Sequence, residues 1–196
     1  TFTVTMTDAL GAFAFDNSTG KITVADASKL NHEVAKTATL KFSVPDHGLA
    51  GSAKTATSTL TVTVTIADLN EAPVIPITNT FTIAENNKAG KAVGTVKATD
   101  PDKDLKQTPT YRIVSALDNS SGDATSVFTV DSDKGIVTEV GSLNYEAHTS
   151  YTLMVRATDN GTTPLHADQT LTINVTNVNE APVASLTAGT TATVVS

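Results

Sequence analysis

Asp68-Leu69-Asn70-Glu71-Ala72-Pro73 closes one Thr/Val-rich stretch and opens the next, and it returns as Asn177-Val178-Asn179-Glu180-Ala181-Pro182. Asn70 and Asn179 stand 109 residues apart. Two more pairs keep nearly that spacing: Leu30-Asn31-His32-Glu33 with Leu143-Asn144-Tyr145-Glu146, and Pro45-Asp46-His47-Gly48 with Thr158-Asp159-Asn160-Gly161. A period of about 110 residues is domain-sized, far beyond the roughly 20–50 residues of a solenoid unit. The chain is therefore expected to be a tandem array: 1–72 a partial repeat, 73–182 a complete one and 183–196 the start of another. It reads as a piece of a longer protein.

Composition narrows the class. A net charge of −7, without clustered Lys or Arg, argues against a nucleic-acid partner. No polybasic segment suits an anionic membrane, and no apolar run nears the 18 or so residues of a spanning helix, so no membrane insertion is expected. The chain has no cysteine, which excludes disulfides, thiolate catalysis and zinc-thiolate sites. Outside the cell, where disulfides usually stiffen small domains, something else must do so. A metal ion is the obvious substitute.

The alternation in Leu60-Thr61-Val62-Thr63-Val64-Thr65-Ile66 and in Leu171-Thr172-Ile173-Asn174-Val175-Thr176 puts apolar side chains on one face and polar ones on the other. Almost no helix is expected. In the complete repeat, seven strands are predicted near 78–85, 91–98, 110–116, 126–131, 136–140, 149–158 and 168–178. Turn signals such as Asp100-Pro101-Asp102, Asp133-Lys134-Gly135 and Asn160-Gly161-Thr162 separate them. This spacing predicts an all-β, Greek-key, immunoglobulin-like sandwich without the Cys–Trp–Cys core of antibody domains. Its expected core is Val93, Val96, Ile113, Phe128, Val130, Ile136, Leu143, Leu153, Val155, Leu171 and Ile173. The first repeat matches from its third strand onward, Phe13-Ala14-Phe15-Asp16 answering Phe128-Thr129-Val130-Asp131. Equivalents of 78–105 are missing there, so strand edges should be exposed.

Acids gather at the strand ends. Calcium takes six to eight oxygens at about 2.3–2.6 Å, and no single loop here supplies enough alternating acids to hold it. Such a site needs loops at one end of a sandwich together with the linker. Five motifs in register sharpen this: Ala84-Glu85-Asn86, Asp100-Pro101-Asp102, Leu143-Asn144-Tyr145-Glu146, Asp159-Asn160-Gly161 and Asn177-Val178-Asn179-Glu180-Ala181-Pro182. Together they resemble the cadherin repeat, in the form found in large bacterial surface proteins. The likeness covers the second repeat fully and the first from about residue 13 to 72.

The resemblance implies cadherin-like sandwiches in tandem, the first truncated, with calcium at the joints. For the first joint it implies Glu33, with Asn31 beside it, then Asp68, Asn70 and Glu71 with the Leu69 carbonyl, and finally Asp100, Asp102 and Asp159 with the carbonyl near Lys106. Their six carboxylates could balance up to three ions, and one to three are expected, because the first repeat has no counterpart of Glu85. For the second joint it implies Glu85, Asn144, Glu146, Asn177, Asn179 and Glu180. Asn144 and Asn177 replace the usual Asp there, which lowers the charge.

Other acids read as solvated turn formers: Asp104, Asp118, Asp123, Asp131 and Asp133. Asp46 matches a ligand motif whose partner loops are absent. His32, His47, His148 and His166 fall in predicted turns without metal-ligand spacing, and no nucleophile elbow or phosphate loop is present. No enzyme is expected. The reading is an extracellular, cell-surface extender held straight by Ca²⁺, with neighbouring repeats as its partners. The alternative is a module binding a surface glycan or a like domain on another cell, although only Tyr111, Tyr145 and Tyr151 join the Phe residues as ring platforms and no Trp is available.

Overall fold

The computed structural model describes residues 3–45, 56–76, 80–102 and 106–182. Asp46, His47, Asp104, the first residues of the strand expected from 78 and the whole of 183–196 lie outside the described residues. Among the described residues twelve strands appear, in the order β1 (Thr5–Asp8), β2 (Phe13–Asp16), β3 (Lys21–Val24), β4 (Thr37–Pro45), β5 (Thr57–Thr65), β6 (Thr80–Ala84), β7 (Ala92–Thr95), β8 (Thr110–Asp118), β9 (Phe128–Val130), β10 (Ile136–Glu139), β11 (Ser150–Thr158) and β12 (His166–Thr176). A single 3-10 turn at Ala27–Lys29 is the one helical element among the described residues. None of them forms a helix long and apolar enough to cross a membrane.

The chain divides into two compact units. The first comprises Thr1–Val74 together with two loop segments, Thr99–Pro109 and Thr158–His166. In it β1, β4 and β5 form an antiparallel sheet and β2 pairs with β3. Ala38, Leu40 and Phe42 alternate inward along β4, and Phe42 meets Phe15 of β2 edge-on at 5.1 Å. Beside this contact an open, mainly apolar groove of about 380 Å³ is lined by Val4, Phe15, Ile22, Phe42, Leu60 and Val62. Leu60 stays 62 % exposed.

The second unit carries the seven strands in the expected order. A four-stranded sheet runs β6-β12-β11-β8 and a three-stranded one β7-β10-β9. All pairings recorded for the smaller sheet are antiparallel, whereas β6 lies parallel to β12, in register from Thr80 opposite Thr172 to Ala84 opposite Thr176. The core draws on both sheets: Phe128 and Val137 from one, and Ile83, Leu153, Val155, Leu171 and Ile173 from the other. Turning Asp131 to Gly135 depends on local chemistry. Asp131 accepts the N–H groups of Asp133 and Lys134, and Gly135 adopts a φ of 67°. A Cβ at Gly135 would stand 2.1 Å from the Val96 carbonyl oxygen, so only glycine fits.

One expected core position moves. Val137, not Ile136, is fully buried, and Glu139 shares its inward face. Val137 and Glu139 share one face of β10, so burying Val137 also turns the Glu139 carboxylate inward.

Candidate metal centre

The acids of the first unit meet because two turns are shaped locally. Pro101 fixes its own φ and pushes Asp100 toward extended backbone, and the Asp102 N–H then reaches back to Asp100 Oδ1 at 3.0 Å. Asp159 organises its own loop by accepting the N–H groups of Gly161 (3.0 Å) and Leu165 (3.0 Å). The linker is pinned beside them, as Val74 and Thr99 exchange backbone hydrogen bonds of 2.7 and 2.9 Å. Glu71 adds its own N–H to Asp102 Oδ2 at 3.0 Å.

Within this frame Glu33, Asp68, Glu71 and Asp102 each offer a carboxylate oxygen, all four lying within 4.8 Å of one another. Asp102 is 1 % exposed. Among the described residues of this cluster, five buried side-chain oxygens have no hydrogen-bond partner: Asp68 Oδ1, Glu71 Oε2, Asp100 Oδ2, Asp102 Oδ1 and Gln107 Oε1. Burial, with Asp102, Glu33 and Asp68 close by, pushes the Glu71 carboxyl up to about 7. Burial also raises Asp100, with Asp102 and Asp159 adding to it, against the lowering effect of the Asp102 N–H. Crowded acceptors of this kind are costly unless a cation takes them. All of the donors are hard oxygens, the set that calcium prefers.

Asn70 and Asp159 meet through the Asn70 Nδ2 donor, 3.0 Å from Asp159 Oδ2 and 3.2 Å from the Thr163 carbonyl. Among the other expected ligands, the Asn31 side chain accepts the Val34 N–H and caps a turn. Leu69 and Lys106, expected to contribute carbonyls, turn their side chains to solvent, and Lys106 has a φ of 52°. Sequence reasoning missed two neighbours. His32 Nδ1 lies 3.4 Å from both Glu33 and Asp68, and Gln107 donates to Asn70 Oδ1 at 2.6 Å and to Asp102 Oδ2 at 3.0 Å. Neither has a spacing signature, since each belongs to the cluster only through folding.

Gly161 supplies a test of how tightly Asn70 is held. A Cβ there would stand 1.9 Å from Asn70 Oδ1. Gly161→Ala is expected to displace that amide, weaken divalent-ion binding roughly tenfold and, as the Asn70 hydrogen bonds are lost, lower stability in chelator by about 1 kcal/mol. Unchanged affinity by calorimetry would remove Asn70 from the site.

The second unit holds a lesser cluster of Glu85, Glu146 and Glu180. Glu85 is buried but already satisfied by the Tyr145 N–H at 2.7 Å and the Val178 N–H at 2.8 Å. Asn177 donates to Glu146, Asn86 donates to Glu180, and Asn144 caps a turn through the Ala147 N–H. Asn179 is exposed. Asp118, Asp123 and Asp131, expected to be turn acids, accept nearby N–H groups that hold their carboxyls below the usual range.

Comparison with known proteins gives concordant results. Residues 79–176 match the cadherin domain. Human protocadherin Fat 1 is 32 % identical over 172 residues, which is 87 % of this chain but only 4 % of that protein's length. Among solved structures, human protocadherin-24 EC1-2 aligns with a TM-score of 0.68 at 26 % identity, covering 90 % of this chain and 82 % of its own. The cis-dimer structure of protocadherin gammaB7 EC3-6 aligns with a TM-score of 0.60 at 26 % identity, covering 88 % and 41 %.

Proposed function

Because the chain belongs to the cadherin family, we propose that it is a calcium-rigidified extender and adhesion module of a large exported surface protein. Cadherin domains are adhesion modules, non-enzymatic in general, that bind Ca²⁺ at the linkers between repeats. For this chain the carrying observation is the set of five orphaned oxygens around Asp102. Glu33, Asp68, Glu71, Asp100 and Asp102 would hold the ion or ions, with Asn70 and Asp159 tying the linker to the loops. A bound cation supplies positive charge that turns mutual repulsion into shared attraction. The protein's own part is to preposition the oxygens, by the Glu71 N–H on Asp102 and the Asp102 N–H on Asp100.

The bacterial form of the repeat is supported by an acidic chain without cysteine. The animal relatives bear on family rather than host. As for partners, a like domain draws support from the cis-dimer neighbour. A surface glycan is less well served, since Tyr111 and Tyr151 are buried, and Tyr111 uses its hydroxyl to accept the Ala98 N–H.

Calorimetric titration with calcium, paired with small-angle scattering, tests the extender reading. The expected Kd is about 10⁻⁴–10⁻³ M, as for extracellular modules, with a narrower spread of shapes in calcium than in chelator. No heat and no change in scattering at about 10 mM calcium, tenfold above the weaker limit, would sink it.

A further inference from the structure

The Gln107 amide is oriented by its neighbours. Asn70 turns its Nδ2 toward Asp159 Oδ2 and the Thr163 carbonyl, both acceptors, so Asn70 Oδ1 must face Gln107. The other contact of Gln107 is Asp102 Oδ2, which as a carboxylate only accepts. Gln107 therefore spends both hydrogens of its Nε2 on these oxygens. Its Oε1, bonded to the same carbon, is left buried with no donor, one of five such oxygens in this cluster. An amide oxygen in that position lacks only a cation.

We propose that Gln107 Oε1 is a side-chain ligand of the calcium ion held by Asp102, while its NH₂ end positions Asn70 and Asp102. The proposal rests on the calcium reading above. It gives the site a neutral oxygen that raises coordination without adding charge. It also gives one residue two tasks, since the same amide would bind the ion and cross-tie the linker to the loop after β7.

Terbium luminescence lifetimes in H₂O and D₂O count the waters on the ion, and calcium titration gives the affinity. Gln107→Leu keeps the bulk and removes the oxygen. It should add one bound water and weaken calcium binding roughly tenfold, and lower the melting midpoint in chelator because the two Nε2 hydrogen bonds go with the oxygen. Gln107→Glu keeps an oxygen and loses both donors, and it should retain the wild-type water count. Should Gln107→Leu fold poorly, Gln107→Met asks the same question. A leucine or methionine variant with wild-type water count and affinity overturns the proposal. Tighter calcium binding also overturns it, marking the amide as a competitor of the ion. A wild-type chain that binds neither ion brings down the calcium reading and this proposal together. Binding that weakens in Asp102→Asn but not in Gln107→Leu brings down this proposal alone.

Discussion

Replacing Glu139 with leucine stabilises the second unit, and by more at pH 8 than at pH 4. Glu139 is fully buried on the inward face of β10, and neither carboxylate oxygen has a hydrogen-bond partner. Burial raises its pKa, opposed in part by Lys91 from the segment before β7. From β11, Tyr151 faces the same region, its phenol raised by burial and by the charges of Asp118 and Glu139. At pH 4 the folded and unfolded chains both hold the Glu139 proton. Above the ordinary glutamate range the unfolded chain releases it while the folded chain keeps it, so stability falls as pH rises. The loss continues until pH reaches the raised folded value, and then levels off. Leucine carries no proton and fills a similar space, so it escapes both this slope and the cost of a buried unsatisfied polar group, about 1–3 kcal/mol. For a domain near 100 residues, that is about 4–8 °C of melting midpoint per kcal/mol. Melts in chelator across pH measure it, with Glu139→Gln removing the slope while leaving a buried polar group. A leucine variant whose gain is the same at both pH values would mean that Glu139 is ionised in the folded protein.

Asp102→Asn should change sign with calcium. In chelator the variant melts higher than the parent, because one charge leaves the group formed with Glu33, Asp68 and Glu71. The asparagine oxygen can still accept the Glu71 N–H, so the turn survives. In calcium the order reverses. Calcium affinity depends on ligand charge count, and a site that is no longer filled forfeits about 1.4 kcal/mol at calcium tenfold above the parent Kd. Differential scanning calorimetry over a calcium series should show the two midpoints crossing. If Asp102→Asn melts lower in chelator as well, the Asp102 carboxylate is a structural anchor and not part of a repelling cluster.

Much of this was legible from periodicity. Alternation along Leu60 to Ile66 and Leu171 to Thr176 marks strands wherever one face is wet, and Asp-x-x-x-Gly marks the β9–β10 turn. Alternation fails at β10, where Glu139 points inward against its own chemistry. The site was legible as far as its motifs reached: Glu33, Asp68 and Glu71 sit in repeated words, and Asp100 and Asp102 in a motif that only the family resemblance marks. Gln107 sits in none and His32 at the one varying position of its word, and their roles emerge only when Asn70 and Asp102, or Glu33 and Asp68, are brought to within hydrogen-bonding range or close to it. The side chains of Asn31 and Asn144 show the reverse case, residues in repeated words that spend their oxygens on a turn.

The parallel pairing of β6 with β12 has a mechanical meaning. These are the first and last strands of the second unit, and Thr80–Ala84 lies in register against Thr172–Thr176. Tension entering at the start of β6 and leaving at the end of β12 pulls the two strands in opposite directions along their length. The inter-strand bonds then carry the load side by side in shear and must yield together, whereas a hairpin pulled from its open end would unzip one rung at a time. A module that transmits force along a chain is strongest with its terminal strands arranged in this way.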